Sequence, residues 1–211
     1  MNNLLNELNS LKSNLDSLPI MNLSDLNLNN TDLFIVDINN GFAKEGALYS
    51  PRIEKLIKPI VDFTKSVSKD IRNIIAFTDY HTKESIELLS YPAHCIEDTI
   101  ECEIVDELKS IDNLKIVKKN STNGFFALDN LNFDNTDNII IIGDCTDICI
   151  YQLAITLKSY FNQNNINKNI IIPINLVDTY NIDNVHPAEL LNIVFLNSMI
   201  QNGIKVVKEI K

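Results

Sequence analysis

A three-layer α/β/α fold with a central parallel sheet is the architecture that this 211-residue sequence predicts. Three observations carry that expectation. Five apolar runs, Leu33–Ile38, Asn73–Thr78, Leu114–Val117, Asn138–Ile142 and Asn169–Leu176, are continuously rather than alternately hydrophobic, as strands buried on both faces are. Segments with helical periodicity lie between them, at about 51–69, 101–111, 147–162 and 187–202. The reactive side chains fall just past the ends of the runs, where sites form in parallel sheets. Together these describe a Rossmann-like sheet covered by helices on both faces.

Taken in order, residues 2–18 place leucine at 4, 5, 8, 11, 15 and 18, which is helical spacing, and Pro19 ends it. Residues 21–30 are polar and Asn-rich and read as a linker. Residues 1–30 are therefore expected to be a helix and linker ahead of one domain at 31–211. The helix is expected to pack on that domain, with a dimer contact as the alternative. Ile204–Val207 reads as a last short strand.

Composition narrows the function. A chain that is 45% hydrophobic can bury a sizeable core. The net charge of −10 repels phosphate backbones, so nucleic acid is not the expected partner. No apolar run reaches membrane length, and no basic patch followed by an apolar stretch opens the chain. A cytoplasmic location is the expectation, with Cys95, Cys102, Cys145 and Cys149 as reduced thiols. Their spacing is not that of a zinc knuckle.

Gly143-Asp144-Cys145-Thr146-Asp147-Ile148-Cys149 follows the fourth apolar run. Gly143 permits a tight turn, and Thr146 or Asp147 can cap the next helix. Cys149 then falls in that helix's first turn, where free N–H groups and the helix dipole favour a thiolate and can hold an oxyanion. Its alternative role is a small buried hydrophobe. A cysteine nucleophile needs a proton acceptor and usually a cation. Asp37 ends the first apolar run and Lys119 follows the third. Each has an ordinary alternative, a loop cap or a solvated lysine. Three such groups at strand ends are more informative than any one.

Two of the three histidines lie in Asp79-Tyr80-His81...Glu87...Tyr91-Pro92-Ala93-His94-Cys95. Asp and His at i and i+2 of an extended segment can face one ion, and a later Glu and His can complete the shell. Carboxylate with imidazole suits zinc, iron or manganese. The alternative is a set of loop residues in ordinary hydrogen bonds.

Three motifs, in order and separation, resemble the isochorismatase-like hydrolases and nicotinamidases. Val36-Asp37-Ile38-Asn39-Asn40-Gly41-Phe42 followed by Glu45-Gly46-Ala47-Leu48 is similar to their D-x-Q-N-D-F...GG-x-L opening. Lys119 to Phe125 resembles K-x5-F, and Gly143 to Cys149 resembles G-x-x-T-D-x-C. The likeness covers roughly 31–207. It implies Cys149 as nucleophile, Asp37 as general base and then acid, and Lys119 as the cation, in preference to Lys118. It also implies a cis peptide between Asp144 and Cys145, with the backbone amides of Cys145 and Cys149 as the oxyanion hole.

The resemblance further implies Asp79, His81, Glu87 and His94 as ligands of a divalent metal, zinc ahead of iron or manganese, with Glu84 as the fallback for Glu87. Phe42 and Tyr91 match positions that flank a substrate ring, and His186 matches a loop-bracing position. Asn39 replaces the usual Gln, Glu97 replaces a Gly, and tryptophan is absent. The expected reaction is deamidation of nicotinamide to nicotinate and ammonia through a thioester. The alternatives are another small amide or carbamoyl substrate, or a non-catalytic binding protein that kept the fold. Self-association is an expectation of the family, with no interface legible here.

Overall fold

The computed structural model describes residues 2–129 and 132–211. Helix α1 (Asn2–Asp16) is followed by β1 (Ile20–Met21), β2 (Thr31–Val36), α2 (Asn40–Ala43), α3 (Pro51–Val67) and β3 (Asn73–Asp79). Then come α4 (Asp106–Lys109), β4 (Leu114–Lys119), β5 (Asn138–Gly143), α5 (Cys149–Gln163), β6 (Asn169–Pro173), α6 (Ala188–Gln201), β7 (Lys205–Val207) and β8 (Glu209–Ile210). Six strands form a parallel sheet in the order β4-β3-β2-β5-β6-β7, and β1 pairs β8 in a small second sheet.

Side-chain alternation along the central strands builds a separate core on each face. Leu33, Ile35, Ile140 and Ile142 join Ile53, Leu56, Ile57 and Ile60 of α3. Phe34, Val36, Ile139 and Ile141 join Ile150, Leu153, Leu157 and Phe161 of α5 and Leu196 and Met199 of α6. Ile139 to Ile142 are fully buried, each such side chain stabilising by roughly 1.5–3 kcal/mol. No helix among the described residues is long and apolar enough to cross a membrane.

The expected elements and the structure differ in three places, the smallest being the run Asn169–Leu176, a strand only to Pro173 and then the 3-10 turn Ile174–Leu176. The stretch 101–111 does not form one helix: it is a 3-10 turn at Ile100–Cys102 and the single turn of α4. Its backbone bonds elsewhere, since Asn40 N–H donates to Glu103 O at 2.9 Å and Val105 N–H to Ile38 O at 3.1 Å. The stretch read as a linker is also structured. It holds β1 and the 3-10 turns Leu23–Asp25 and Leu28–Asn30, and Leu23 N–H donates to the Lys211 carbonyl at 2.6 Å. Helix α1 lies against α6, burying Leu15 and leaving Leu4 and Leu5 exposed.

The chain runs outward from β2 through β3 to β4, then returns past β2 to β5 and on to β7. The strand order reverses between β2 and β5, and their carboxyl ends open the crevice in which ligands bind in such sheets. Gly143 closes β5 there at φ 119°, where an added Cβ would sit 2.0 Å from the Val36 carbonyl oxygen. Only glycine fits at so close a crossing.

Candidate active site and metal centre

Asp37 is the first residue beyond β2. It takes the left-handed conformation at φ 54°, which costs a non-glycine residue roughly 1–2 kcal/mol. It is buried, as are Asp79 at the end of β3 and Lys119 at the end of β4. Asp79 and Lys119 face each other in register across the two strands. The Lys119 ammonium lies 2.9 Å from Asp37 Oδ2, contacts Asp79 Oδ1, and stands 3.9 Å from Cys149 Sγ. The structure thus brings Asp37, Lys119 and Cys149 together. Lys118, one residue earlier, points the other way and lies over the Tyr80 ring at 3.7 Å.

The charges in this cluster are unequal. Burial, reinforced by Asp79, pushes the Asp37 carboxyl up to about 7 despite Lys119. Burial alone would also raise Asp79, but Lys119, His81 and His94 outweigh it and hold that carboxyl far below the usual range. Burial would lower Lys119, but Asp37 and Asp79 outweigh it, so the ammonium keeps its charge.

Burial pushes the Cys149 thiol well above its ordinary value, against the pull of Lys119. The sequence had pointed to a thiolate favoured by a helix start. Cys149 does open α5, and burial of its sulfur beside two carboxylates opposes the thiolate that the helix start and Lys119 favour. The peptide between Asp144 and Cys145 is cis. Among the described residues, neither the Cys145 nor the Cys149 backbone N–H donates to another group.

A second cluster shares Asp79. One donor atom each from Asp79, His81, Glu87 and His94 falls within 4.8 Å of the others. Asp79 Oδ2 is 3.6 Å from His81 Nε2 and 3.5 Å from His94 Nε2, and Glu87 Oε1 is 3.8 Å from His81 Nε2. These gaps are too long for hydrogen bonds. They resemble the edges of a donor shell, which are roughly 3.4 Å for a tetrahedral ion bound at about 2.1 Å.

Three of the four donors are also braced from behind. His81 Nδ1 meets Asn120 Oδ1 at 2.9 Å, His94 Nδ1 meets the Pro92 carbonyl at 2.7 Å, and Thr122 N–H donates to Glu87 Oε2 at 2.8 Å. With protons on both Nδ1 atoms, both Nε2 lone pairs face the cluster. His81 Nε2 is buried and has no hydrogen-bond partner. This donor set fits a divalent metal ion. Glu84, the fallback, is exposed and outside the group. Asn39 donates to the Asp79 carbonyl at 3.2 Å and steadies that strand end.

Both clusters face one pocket, lined by Asp37, Asp79, Glu87, His94, Cys145 and Cys149 among others. Phe42 and Tyr91 stand in its wall, their ring centroids 5.5 and 6.2 Å from that of His94. His186 lies behind the pocket: it meets Asp147 Oδ2 at 2.8 Å and stacks on Tyr180 at 3.8 Å. The sequence reading assigned no role to Asp144 or Tyr180, which also line the pocket. Asp144 directly follows β5, the same signal that points to Asp37 and Lys119, whereas Tyr180 lies in the loop beyond the 3-10 turn after β6.

The isochorismatase domain matches residues 31–194. The chain is similar to nicotinamidase 1 of Arabidopsis thaliana, 26% identical over 209 residues, covering 84% of this chain and 85% of that protein. The fold is similar to a zinc-complexed pyrazinamidase from Pyrococcus horikoshii (TM-score 0.70, 21% identity, 84% and 98% coverage). It is also similar to an N-carbamoylsarcosine amidase from Thermoplasma acidophilum (TM-score 0.68, 19% identity, 84% and 95% coverage).

Proposed function

This chain belongs to the isochorismatase domain family of hydrolases, and from that premise we propose that it is a cysteine amidohydrolase that deamidates nicotinamide to nicotinate and ammonia. The observation that carries the reading is one buried ammonium, Lys119, in reach of Asp37, Asp79 and Cys149 beside the pocket.

Asp37 takes the proton of the Cys149 thiol, a transfer suited to a carboxyl pushed up to about 7. Lys119 stays charged and steadies the new thiolate. The sulfur attacks the amide carbon, and the free N–H groups of Cys145 and Cys149 hold the oxyanion. Asp37 returns its proton to the leaving nitrogen as the C–N bond breaks, releasing ammonia and leaving a thioester. Water then gives a proton to Asp37 and its oxygen attacks the thioester carbon. The C–S bond breaks, and the sulfur regains its proton.

Asp79, His81, Glu87 and His94 would hold a divalent ion, zinc by analogy with the Pyrococcus horikoshii enzyme. When bound, it supplies a Lewis-acid point on the pocket wall for a ring nitrogen or a water. Phe42 and Tyr91 flank the substrate ring.

A second reading, hydrolysis of a carbamoyl compound, is favoured by the likeness to N-carbamoylsarcosine amidase. Ammonia release from a panel of small amides and carbamoyl compounds, with and without a chelator, separates the two. Nicotinamide turnover that collapses on chelation supports the first. Cys149→Ala is expected to abolish turnover with the fold intact; full activity in that variant would overturn the scheme.

A further inference from the structure

Asp144 is the first residue beyond β5, and its N–H donates to the Val36 carbonyl at 3.0 Å. That bond fixes its backbone at the reversal of strand order. Its side chain lines the pocket and is 1% exposed. The Cys145 thiol approaches Oδ2 at 3.6 Å, while Oδ1 has no hydrogen-bond partner among the described residues. No lysine, arginine or histidine there forms an ion pair with it. The charged and titratable groups facing it are Asp37 beyond β2, Asp79 from β3, Lys119 from β4, and Cys145 and Cys149 beyond β5. Lys119, the one cation among these, is engaged by Asp37 and Asp79.

A buried carboxylate without a cation keeps its proton. Burial, and next the charge of Asp37, push this carboxyl well above its usual range. The thiol donates to Oδ2, so the proton belongs on Oδ1, which is buried and has no hydrogen-bond partner among the described residues. Such a group calls for a partner outside the protein.

We propose that Asp144 is a specificity residue of the pocket, a neutral carboxylic acid that donates a hydrogen bond to an acceptor atom of a small uncharged amide. This rests on the amidase reading above. The residue contacts substrate and takes no proton in the reaction. Asparagine, also neutral and also a donor, therefore replaces it, whereas leucine does not.

The test is steady-state ammonia release from nicotinamide and pyrazinamide by the zinc-loaded wild type, Asp144→Asn and Asp144→Leu. The expected result is a KM within about threefold of wild type for Asp144→Asn, and a KM raised about tenfold with kcat nearly unchanged for Asp144→Leu. A leucine variant with native KM, or an asparagine variant as impaired as the leucine one, overturns the proposal. If Asp144→Leu does not fold, Asp144→Asn decides alone, because a pocket that needs an anion there loses affinity with it. If the wild type releases no ammonia, the amidase reading fails separately. Calorimetric binding of the same amides then decides the role of Asp144, and absence of binding to wild type overturns it too.

Discussion

Asp37 and Asp79 flank the same ammonium and are equally buried, yet they stand at opposite ends of the carboxylate range. Asp37 is pushed up to about 7, while Asp79 is held far below its usual value. The difference lies on the side away from Lys119. Asp79 turns its second oxygen to His81 and His94. Asp37 has no such partners, feels the charge of Asp79, and faces the Cys149 thiol. One corner of the pocket therefore holds a permanent anion suited to a metal, and the other a carboxyl that gains and loses a proton near neutrality. The division resembles other sites in which two carboxyls take separate roles by environment.

The largest expected effect comes from removing the exchangeable proton. Asp37→Asn keeps the shape and the contact with Lys119 but cannot accept the thiol proton. Its kcat for nicotinamide is expected to fall by about 10³-fold or more, with unchanged circular dichroism. Near-native turnover would mean that the two carboxyls are not divided as described.

Asp79→Asn sharpens the comparison from the other side. It removes one donor of the metal cluster, so zinc affinity is expected to fall at least tenfold, read by equilibrium dialysis. It also removes the charge that helps hold Asp37 up. The Asp37 carboxyl should then titrate below about 7, by carboxyl 13C shifts in metal-free protein. An unmoved or higher value would show that burial alone raises Asp37.

The sign for activity follows from the same carboxyl. Asp37 is protonated below about pH 7 and ionised above it. Only the ionised form accepts a proton, so kcat/KM, read at limiting and at full metal occupancy, should fall about tenfold per pH unit on the acid side of the Asp37 titration. A bound divalent ion offsets the charge of Asp79 and should move the limb to lower pH. A profile flat from pH 5 to 8 in both states would break the assignment of Asp37 as base.

Much of this site was legible because strand geometry is legible. An apolar run such as Phe34-Ile35-Val36, one of five alternating with helical segments, reads as a covered strand, and its end locates Asp37. The K-x5-F spacing selects Lys119, and alternation along β4 sends Lys118 to the opposite face. What stayed hidden depends on contacts distant in sequence. The pattern at 101–111 is helical, but its backbone is committed to the loop after β2. Residues 21–30 look like a linker until the C-terminus arrives as their partner. The upward push on the Cys149 thiol comes from burial beside Asp37 and Asp79, which a helix-start argument does not contain. Asp144 and Tyr180 reach the pocket only because the chain turns sharply at Gly143 and the loop beyond β6 folds back over it.

The smallest expected effect belongs to the pocket wall. Tyr91 is partly exposed and lies outside the core clusters, whereas Phe42 is also part of the core beneath α3. Tyr91→Ala thus removes ring contact with little cost to the fold. An aromatic contact is worth about 0.5–1.5 kcal/mol, so KM for nicotinamide should rise about 2- to 12-fold while kcat holds. For an aliphatic amide, which offers no ring to stack, the same substitution should leave KM nearly unmoved. A fall in kcat instead would mean that Tyr91 acts through its neighbour His94, 6.2 Å away between ring centres. The wall would then belong to the metal corner rather than to substrate recognition.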